Sequence, residues 1–219
     1  MDYSRPESYT PKFIADKILT TRSAVSGERK SVTVLFADVA NFTSIAERLD
    51  PEEVHEIMDG CFKILMGEIH QREGTVNQFT GDGVMALFGA PLAAEDHAGQ
   101  ACRAALAIQK SLIAYGLEIK NRFGAEFSLR IGLNSGPVMV GAIGDDLRMD
   151  YTAVGDTTNL ASRMESLAEP GTILATENTY RLAQDFFRFE PMGEATVKGK
   201  QKHQKTYRLI ERSRIADRI

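Results

Sequence analysis

Two aspartates occur where short apolar segments of the sequence end. Asp38 closes SVTVLFADV (31–39), whose nearly continuous apolar run is typical of a central strand. Asp82 lies between two glycines in VNQFTGDGVMALFGAP (76–91), a pattern that predicts a hairpin of two short strands. Two carboxylates at one sheet end repel each other unless a cation lies between them. Oxygen ligands of this kind suit Mg²⁺ or Mn²⁺, and a pair of such ions is a common arrangement for in-line attack on phosphorus.

Each aspartate also has an ordinary structural interpretation. Asp38 could cap the helix predicted to follow it, and Asp82 could be a turn residue favoured for backbone reasons alone. The segment after Asp38, VANFTS, leads into that helix, whose first N–H groups would be free to bind a phosphate chain. These alternatives stay open when either stretch is taken by itself.

A second pair of polar residues lies in DTTNLASRMESLA (156–168), which is predicted to form a helix. Asn159 and Arg163 are four residues apart, so they project from the same helix face. A guanidinium offers a planar fork of donors to phosphate, and an amide beside it could orient a second group of the substrate. A solvated polar stripe is the alternative interpretation. The segment VKGK (197–200) could bring lysines to a polyphosphate, although basic segments near a C-terminus are usually only solvated.

The elements that must position these residues follow the order β-α-β-β-α-β, with further strands after them. This order predicts an α+β fold with a ferredoxin-like split βαβ core: a palm-type sheet, helices on one face, and a C-terminal β extension. In that topology the first strand is central and lies beside the hairpin. We therefore expect Asp38 and Asp82 to be close together.

The whole chain has 219 residues, a formal net charge of −4 and two cysteines. These values predict one substantial domain, with no charge pattern for nucleic acid and no disulfide scaffold. No apolar run is long enough to span a bilayer, and the sequence predicts a cytoplasmic protein. We expect an N-terminal arm with a short helix over residues 1–30, a catalytic domain over 31–212 and a tail over 213–219.

Taken together, these segments resemble the catalytic domain of class III adenylate and guanylate cyclases of the bacterial type. The similarity runs from about residue 31 to 210, through VTVLFADVANFTSIAE, VNQFTGDGVMALFGAP, IGLNSGPVMVGAIG, DYTAVGDTTNLASRME and VKGKQKHQKTYRLI. It implies two Mg²⁺ or Mn²⁺ ions bound by Asp38, Asp82 and the backbone carbonyl of Val39. It also implies a head-to-tail homodimer, in which one copy supplies the metal ligands and the other supplies the purine-binding and transition-state residues.

The resemblance assigns the remaining site residues to the nucleotide. Asn159 is implied to orient the ribose and Arg163 to meet the α-phosphate. The other positions that match substrate-binding residues of the family are Phe42, Thr43, Gln78, Arg148, Thr152 and Lys198. Cyclase domains of this kind commonly follow sensor or regulatory modules, so a longer parent protein is expected, with no nucleic-acid partner and no membrane insertion.

The purine-binding positions depart from the adenylate cyclase pattern. Gln78 stands where a lysine usually precedes F-x-G-D, and Thr152 stands where an aspartate is usual. A glutamine amide offers both a donor and an acceptor, so it can meet either purine. We expect ATP as the main substrate with GTP as a side substrate, because a guanine-specific site would be expected to carry Glu at position 78.

Three other functions compete with this interpretation. One is a catalytically idle nucleotide-binding domain that signals by dimerising, and another is a guanylate cyclase. The third is a diguanylate cyclase or polymerase-like palm, whose hairpin would read G-G-D-E-F rather than T-G-D-G-V.

Overall fold

The computed structural model describes residues 28–90, 93–142, 149–152, 157–195 and 203–213. Its elements, in chain order, are β1 (Glu28–Val39), α1 (Phe42–Arg48), α2 (Pro51–His70), β2 (Thr75–Phe79), β3 (Gly83–Phe88), α3 (His97–Phe123), β4 (Leu129–Ala142), β5 (Met149–Thr152), α4 (Thr157–Leu167), β6 (Ile173–Thr176), α5 (Glu177–Ala183), β7 (Phe187–Ala195) and β8 (Gln204–Arg212). The strands form one eight-stranded sheet in the order β2-β3-β1-β4-β6-β8-β7, with β5 paired to β4. The predicted α+β palm-type class with a C-terminal β extension is confirmed.

The two faces of the sheet are covered by different helices. Odd-numbered residues of β1, such as Leu35, pack in the main core together with buried side chains of α1, α2, α3 and α5. Even-numbered residues, such as Val32 and Val34, pack with Ala161 of α4 on the opposite face. The sequence prediction gave the helices to one face, and the structure adds α4 on the other. Because side chains alternate along a strand, Asp38 lies on the face that α4 covers.

Helix α2 shows how local sequence fixes these elements. Pro51 occupies its first turn, and Asp50 and Glu53 form a capping box, with the Asp50 N–H donating to Glu53 Oε2 at 3.1 Å. Its buried residues recur at helical spacing and face the main core; they include Ile57, Cys61, Leu65 and Ile69. No helix in the described part of the chain combines the length and the apolar character needed to cross a membrane.

Strand β4 is longer than its sequence suggests. Gly136 and Pro137 favour a break between two strands, but β4 runs through both, and its residues 129–140 pair with β1. On the other edge of β4, β6 pairs with residues 131–133 and β5 with residues 139–142. Among the described residues, no strand pairs with that edge at Pro137, so its missing N–H is tolerated there.

The contact between α4 and the sheet depends on Gly132. A Cβ added at this position would overlap the Ala161 carbonyl oxygen and the backbone of Glu165, so only glycine allows α4 to lie this close. We expect Gly132→Ala to lower the free energy of unfolding by about 1–3 kcal/mol in urea denaturation, because helix backbone cannot move aside as a side chain can.

Gly67→Ala is the matched control for this substitution. Gly67 lies in α2, and a Cβ added there meets no atom within 4 Å. Alanine should therefore stabilise the protein by about 0.5–1 kcal/mol, since glycine is costly inside a helix. Stabilisation by both substitutions would contradict the proposed packing of α4 on Gly132.

Candidate active site

The end of β1 and the β2–β3 hairpin bring Asp38, Val39 and Asp82 together. Asp38 pairs with Gly83 of β3, and the Val39 N–H donates to the Asp82 carbonyl oxygen at 3.2 Å. A Cβ added at Gly83 would lie 2.7 Å from Asp38 Oδ1, so glycine at this position allows the close approach. The hairpin turn thus fixes the second aspartate beside the end of the first strand.

The two carboxylates have unfavourable electrostatics when no cation is bound. Burial, together with the neighbouring charges of Asp82 and Glu165, raises the pKa of Asp38 to about 7. The Asp38 Oδ1 atom is buried and has no hydrogen-bond partner among the described residues. A buried oxygen left without a partner is costly, and a cation between the carboxylates would remove this cost.

The donor set fits a hard divalent cation that is only partly coordinated by protein. Within the described ranges, no group of three or more His, Cys, Asp or Glu residues could hold a metal. Asp38 and Asp82 can supply two carboxylate ligands, and the Val39 carbonyl, water and substrate oxygens could fill the remaining coordination positions of the cation. Mg²⁺ and Mn²⁺ favour such oxygen ligands, and Mg²⁺ commonly keeps several waters.

Two charged residues beside the carboxylates were missed by the sequence analysis. Arg130 of β4 pairs with Asp38 in the strand register, and its Nε atom is buried without a partner in the described part of the chain. Glu165 of α4 is only 8% exposed, and burial raises its pKa while Arg130 lowers it. An arginine inside the apolar strand LRIGL and a glutamate on the apolar face of α4 were the signals that could have identified them.

Asn159 and Arg163 lie on the exposed side of α4, as the four-residue spacing predicts. The buried side of the same helix carries Glu165, which faces the charges of the carboxylate pair. The start of the helix is held by Asn134, whose Nδ2 donates to the Thr157 carbonyl oxygen at 2.8 Å. The carboxylate pair therefore lies near the buried side of α4, whereas Asn159 and Arg163 lie on its exposed side.

The other predicted site residues that the structure describes lie on α1, β2 and β5. Phe42 begins α1 and packs against the main core, and Thr43 is exposed beside it. Gln78 is exposed on β2 and pairs with Met85, whose side chain packs on the face that carries Asp38.

Thr152 ends β5 and pairs with Met139, toward the opposite end of β4 from Arg130. The backbone pairing therefore does not bring Thr152 next to the carboxylate pair of the same chain. Arg148 and Lys198 lie outside the described residues, as do the predicted N-terminal helix (11–21) and most of the predicted tail.

Comparisons with a family model and with curated proteins identify the same family. A family model described as "Adenylate and Guanylate cyclase catalytic domain" matches residues 25–211. Adenylate cyclase 1 of Rhizobium meliloti (strain 1021) is 34% identical over 219 residues, which cover 96% of this chain and 33% of that protein. Receptor-type guanylate cyclase gcy-14 of Caenorhabditis elegans is 31% identical over 210 residues, covering 94% of this chain and 19% of that protein. The chain thus spans a third or less of the length of these relatives.

Solved structures give the same result. The adenylyl cyclase CyaB from P. aeruginosa superimposes with a TM-score of 0.80 at 32% identity, covering 87% of this chain and 98% of that one. The guanylate cyclase domain of RhGC from Catenaria anguillulae, in complex with GTP, superimposes with a TM-score of 0.71 at 32% identity, covering 85% and 100%.

Proposed function

Since the chain belongs to the adenylate and guanylate cyclase catalytic domain family, we propose that it converts ATP to 3′,5′-cyclic AMP and pyrophosphate. The observation that carries this proposal is the half-buried Asp38–Asp82 pair beside the turn of the β2–β3 hairpin, in which the buried Oδ1 of Asp38 has no hydrogen-bond partner among the described residues. Cyclases of this family are generally metal-dependent, and these two carboxylates fit two Mg²⁺ or Mn²⁺ ions, with the Val39 carbonyl as a further ligand.

In the proposed reaction the ribose 3′-oxygen attacks the α-phosphorus in line, and pyrophosphate leaves from the opposite side. The bound ions would favour ionisation of the 3′-hydroxyl and neutralise phosphate charge. Asn159 orients the ribose, and Arg163 donates to the α-phosphate oxygens as negative charge develops there. By resemblance, Phe42 and Thr43 contact the phosphates, and Lys198 and Arg148 bind the leaving pyrophosphate. Positioning and charge stabilisation account for most of phosphoryl-transfer catalysis, so no dedicated histidine base is required.

The proposed active site is shared between two copies of the chain. Asn159 and Arg163 lie on the exposed side of α4, whereas the carboxylate pair lies near its buried side. A second copy can supply its own exposed helix face to the carboxylates of the first, and a two-fold arrangement then creates two equivalent sites. We also propose that regulatory or sensor domains accompany this domain in a longer protein, because relatives extend well beyond the matched region.

A direct assay tests this function against the idle nucleotide-binding alternative. The purified chain is incubated with Mn²⁺ and either ATP or GTP, and cyclic nucleotides are measured over a series of protein concentrations. We expect cyclic AMP as the main product and a specific activity that rises with concentration as dimers form. No cyclic nucleotide at any concentration would support an idle domain, and cyclic GMP as the main product would support a guanylate cyclase.

Gln78 is the residue expected to weaken discrimination between the two purines. Its amide can donate to adenine N1 or accept from guanine N1–H, whereas a lysine can only donate. We expect Gln78→Lys to raise the ratio of ATP to GTP turnover by about tenfold, the equivalent of one modest hydrogen bond. The effect is measured as the ratio of kcat/KM for ATP to kcat/KM for GTP.

Gln71→Lys serves as the control, since Gln71 is an exposed glutamine at the end of α2 and lies outside the proposed site. It adds the same charge and should leave the ratio unchanged. An equal ratio in Gln78→Lys and the wild type would remove residue 78 from purine selection.

A further inference from the structure

Strand β2 contains one residue more than regular pairing with β3 requires. Val76 pairs with Ala86 and Gln78 pairs with Met85, and the register shifts between the two pairs. Asn77 is therefore the additional residue of a β-bulge, in which two residues of one strand oppose one residue of the other. Because a bulge interrupts the alternation of side chains along a strand, two neighbouring residues can lie on the same face.

The bulge places the side chains of Asn77 and Gln78 on one face of the sheet. Val76 lies in the main core and Phe79 packs against that core, although residues three apart in a regular strand face opposite sides. The two amides between them lie on the other face. Asn77 Nδ2 donates to the sulfur of Met85 at 3.9 Å, and Met85 is the strand partner of Gln78 and is buried on the face that α4 covers. Asn77 is half-buried there, and Gln78 is exposed beside it.

The contact with Met85 fixes which end of the Asn77 amide can meet a ligand. A thioether sulfur is a weak acceptor and not a donor, so the NH₂ end of the amide faces Met85 and the carbonyl oxygen is at the other end. Adenine carries an amino group at C6, whereas guanine carries a carbonyl oxygen at the same position. A fixed acceptor beside the purine therefore favours adenine.

We propose that Asn77 is a specificity-determining residue that acts beside Gln78: its carbonyl oxygen accepts a hydrogen bond from the 6-amino group of adenine. This inference rests on the proposed function, in which Gln78 binds the purine. With Gln78 donating to N1 and Asn77 accepting from the 6-amino group, the two amides match the edge of adenine. The same face of the sheet is covered by α4, which carries Asn159 and Arg163, so one copy presents its purine, ribose and phosphate contacts on one side.

Substitutions of Asn77 test this role through the ratio of kcat/KM for ATP to kcat/KM for GTP. Asn77→Leu keeps the approximate size of the side chain without polar atoms and should lower the ratio about fivefold, the equivalent of one modest hydrogen bond. Asn77→Asp keeps an acceptor and loses the donor to Met85, so it should hold the ratio at or above the wild-type value. Asn121→Leu is the control, because Asn121 is exposed near the end of α3 and its replacement should leave the ratio unchanged.

The affinities of 3′-deoxy-ATP and 3′-deoxy-GTP, measured by calorimetry with Mn²⁺, give the corresponding ratio without turnover, because both nucleotides lack the attacking hydroxyl. An unchanged ratio in Asn77→Leu would contradict the inference. A lowered ratio in Asn77→Asp would show that Asn77 acts only through Met85, and this arm remains informative if Asn77→Leu fails to fold. If the wild type made no cyclic nucleotide but the affinity ratios changed as expected, the proposed reaction would be wrong and the role of Asn77 would stand.

Discussion

Replacing Asp38 by asparagine should lower the rate of cyclic nucleotide formation by about 10³-fold or more. Asparagine keeps the size of the side chain but removes the charge that holds the cations, and several kcal/mol of charge stabilisation correspond to a factor of this order. The initial rate with Mn²⁺ and ATP measures the effect. Asp185→Asn is the matched control, because Asp185 is exposed in the turn after α5 and its replacement should leave the rate unchanged.

The same substitution should make the metal-free protein more stable. The raised pKa of Asp38 means that its ionised form is costly in the folded state, since burial and Asp82 both oppose the charge. Above about pH 7 this cost is fully present, and asparagine removes it. We expect the free energy of unfolding at pH 8, measured by urea denaturation without metal, to rise by about 1–2 kcal/mol. If the variant were both inactive and less stable than the wild type, its lost activity would instead be attributed to misfolding.

Replacing Arg163 by alanine should lower kcat by about 10²–10³-fold, the usual effect of removing one donor to a developing oxyanion. KM should change little, because this contact strengthens only as charge develops in the transition state. The thermal midpoint should be unaffected, since Arg163 is exposed on α4. Steady-state kinetics and thermal denaturation of the same preparation measure both quantities.

Arg181→Ala is the control for this substitution. Arg181 is an exposed arginine on α5 that pairs with Glu177 within the same helix, and its loss should not change kcat. A rise in KM for Arg163→Ala with kcat unchanged would assign Arg163 to uniform substrate binding and would contradict a transition-state role.

The carboxylate pair could be predicted from the sequence because its determinants are local. A nearly continuous apolar strand that ends in Asp38, and a T-G-D-G hairpin, need only the split βαβ topology to place two carboxylates at one sheet end. The spacing of Asn159 and Arg163 likewise depends only on helical periodicity, so their common exposed face followed from the sequence.

The position of α4 could not be predicted in this way. A single glycine in a strand does not reveal that a helix backbone rests on it, so the contact of α4 with Gly132 emerges only from the tertiary structure. Arg130 and Glu165 were missed for the same reason: each is one charge in an apolar pattern, and they gain meaning only when the strand and the helix are placed face to face. The roles proposed for Arg148 and Lys198 stay predictions from the resemblance.

Mixing an inactive Asp38 variant, either Asp38→Ala or Asp38→Asn, with Arg163→Ala tests the shared site most directly. Each variant alone has a defect in both sites of its homodimer, whereas a mixed dimer has one site with intact carboxylates and an intact arginine. If copies exchange freely, half of the dimers are mixed and half of their sites are intact, so we expect about one quarter of the wild-type rate. A mixture that makes no more product than the separate variants would show that the carboxylates and the arginine do not act on one substrate from two copies.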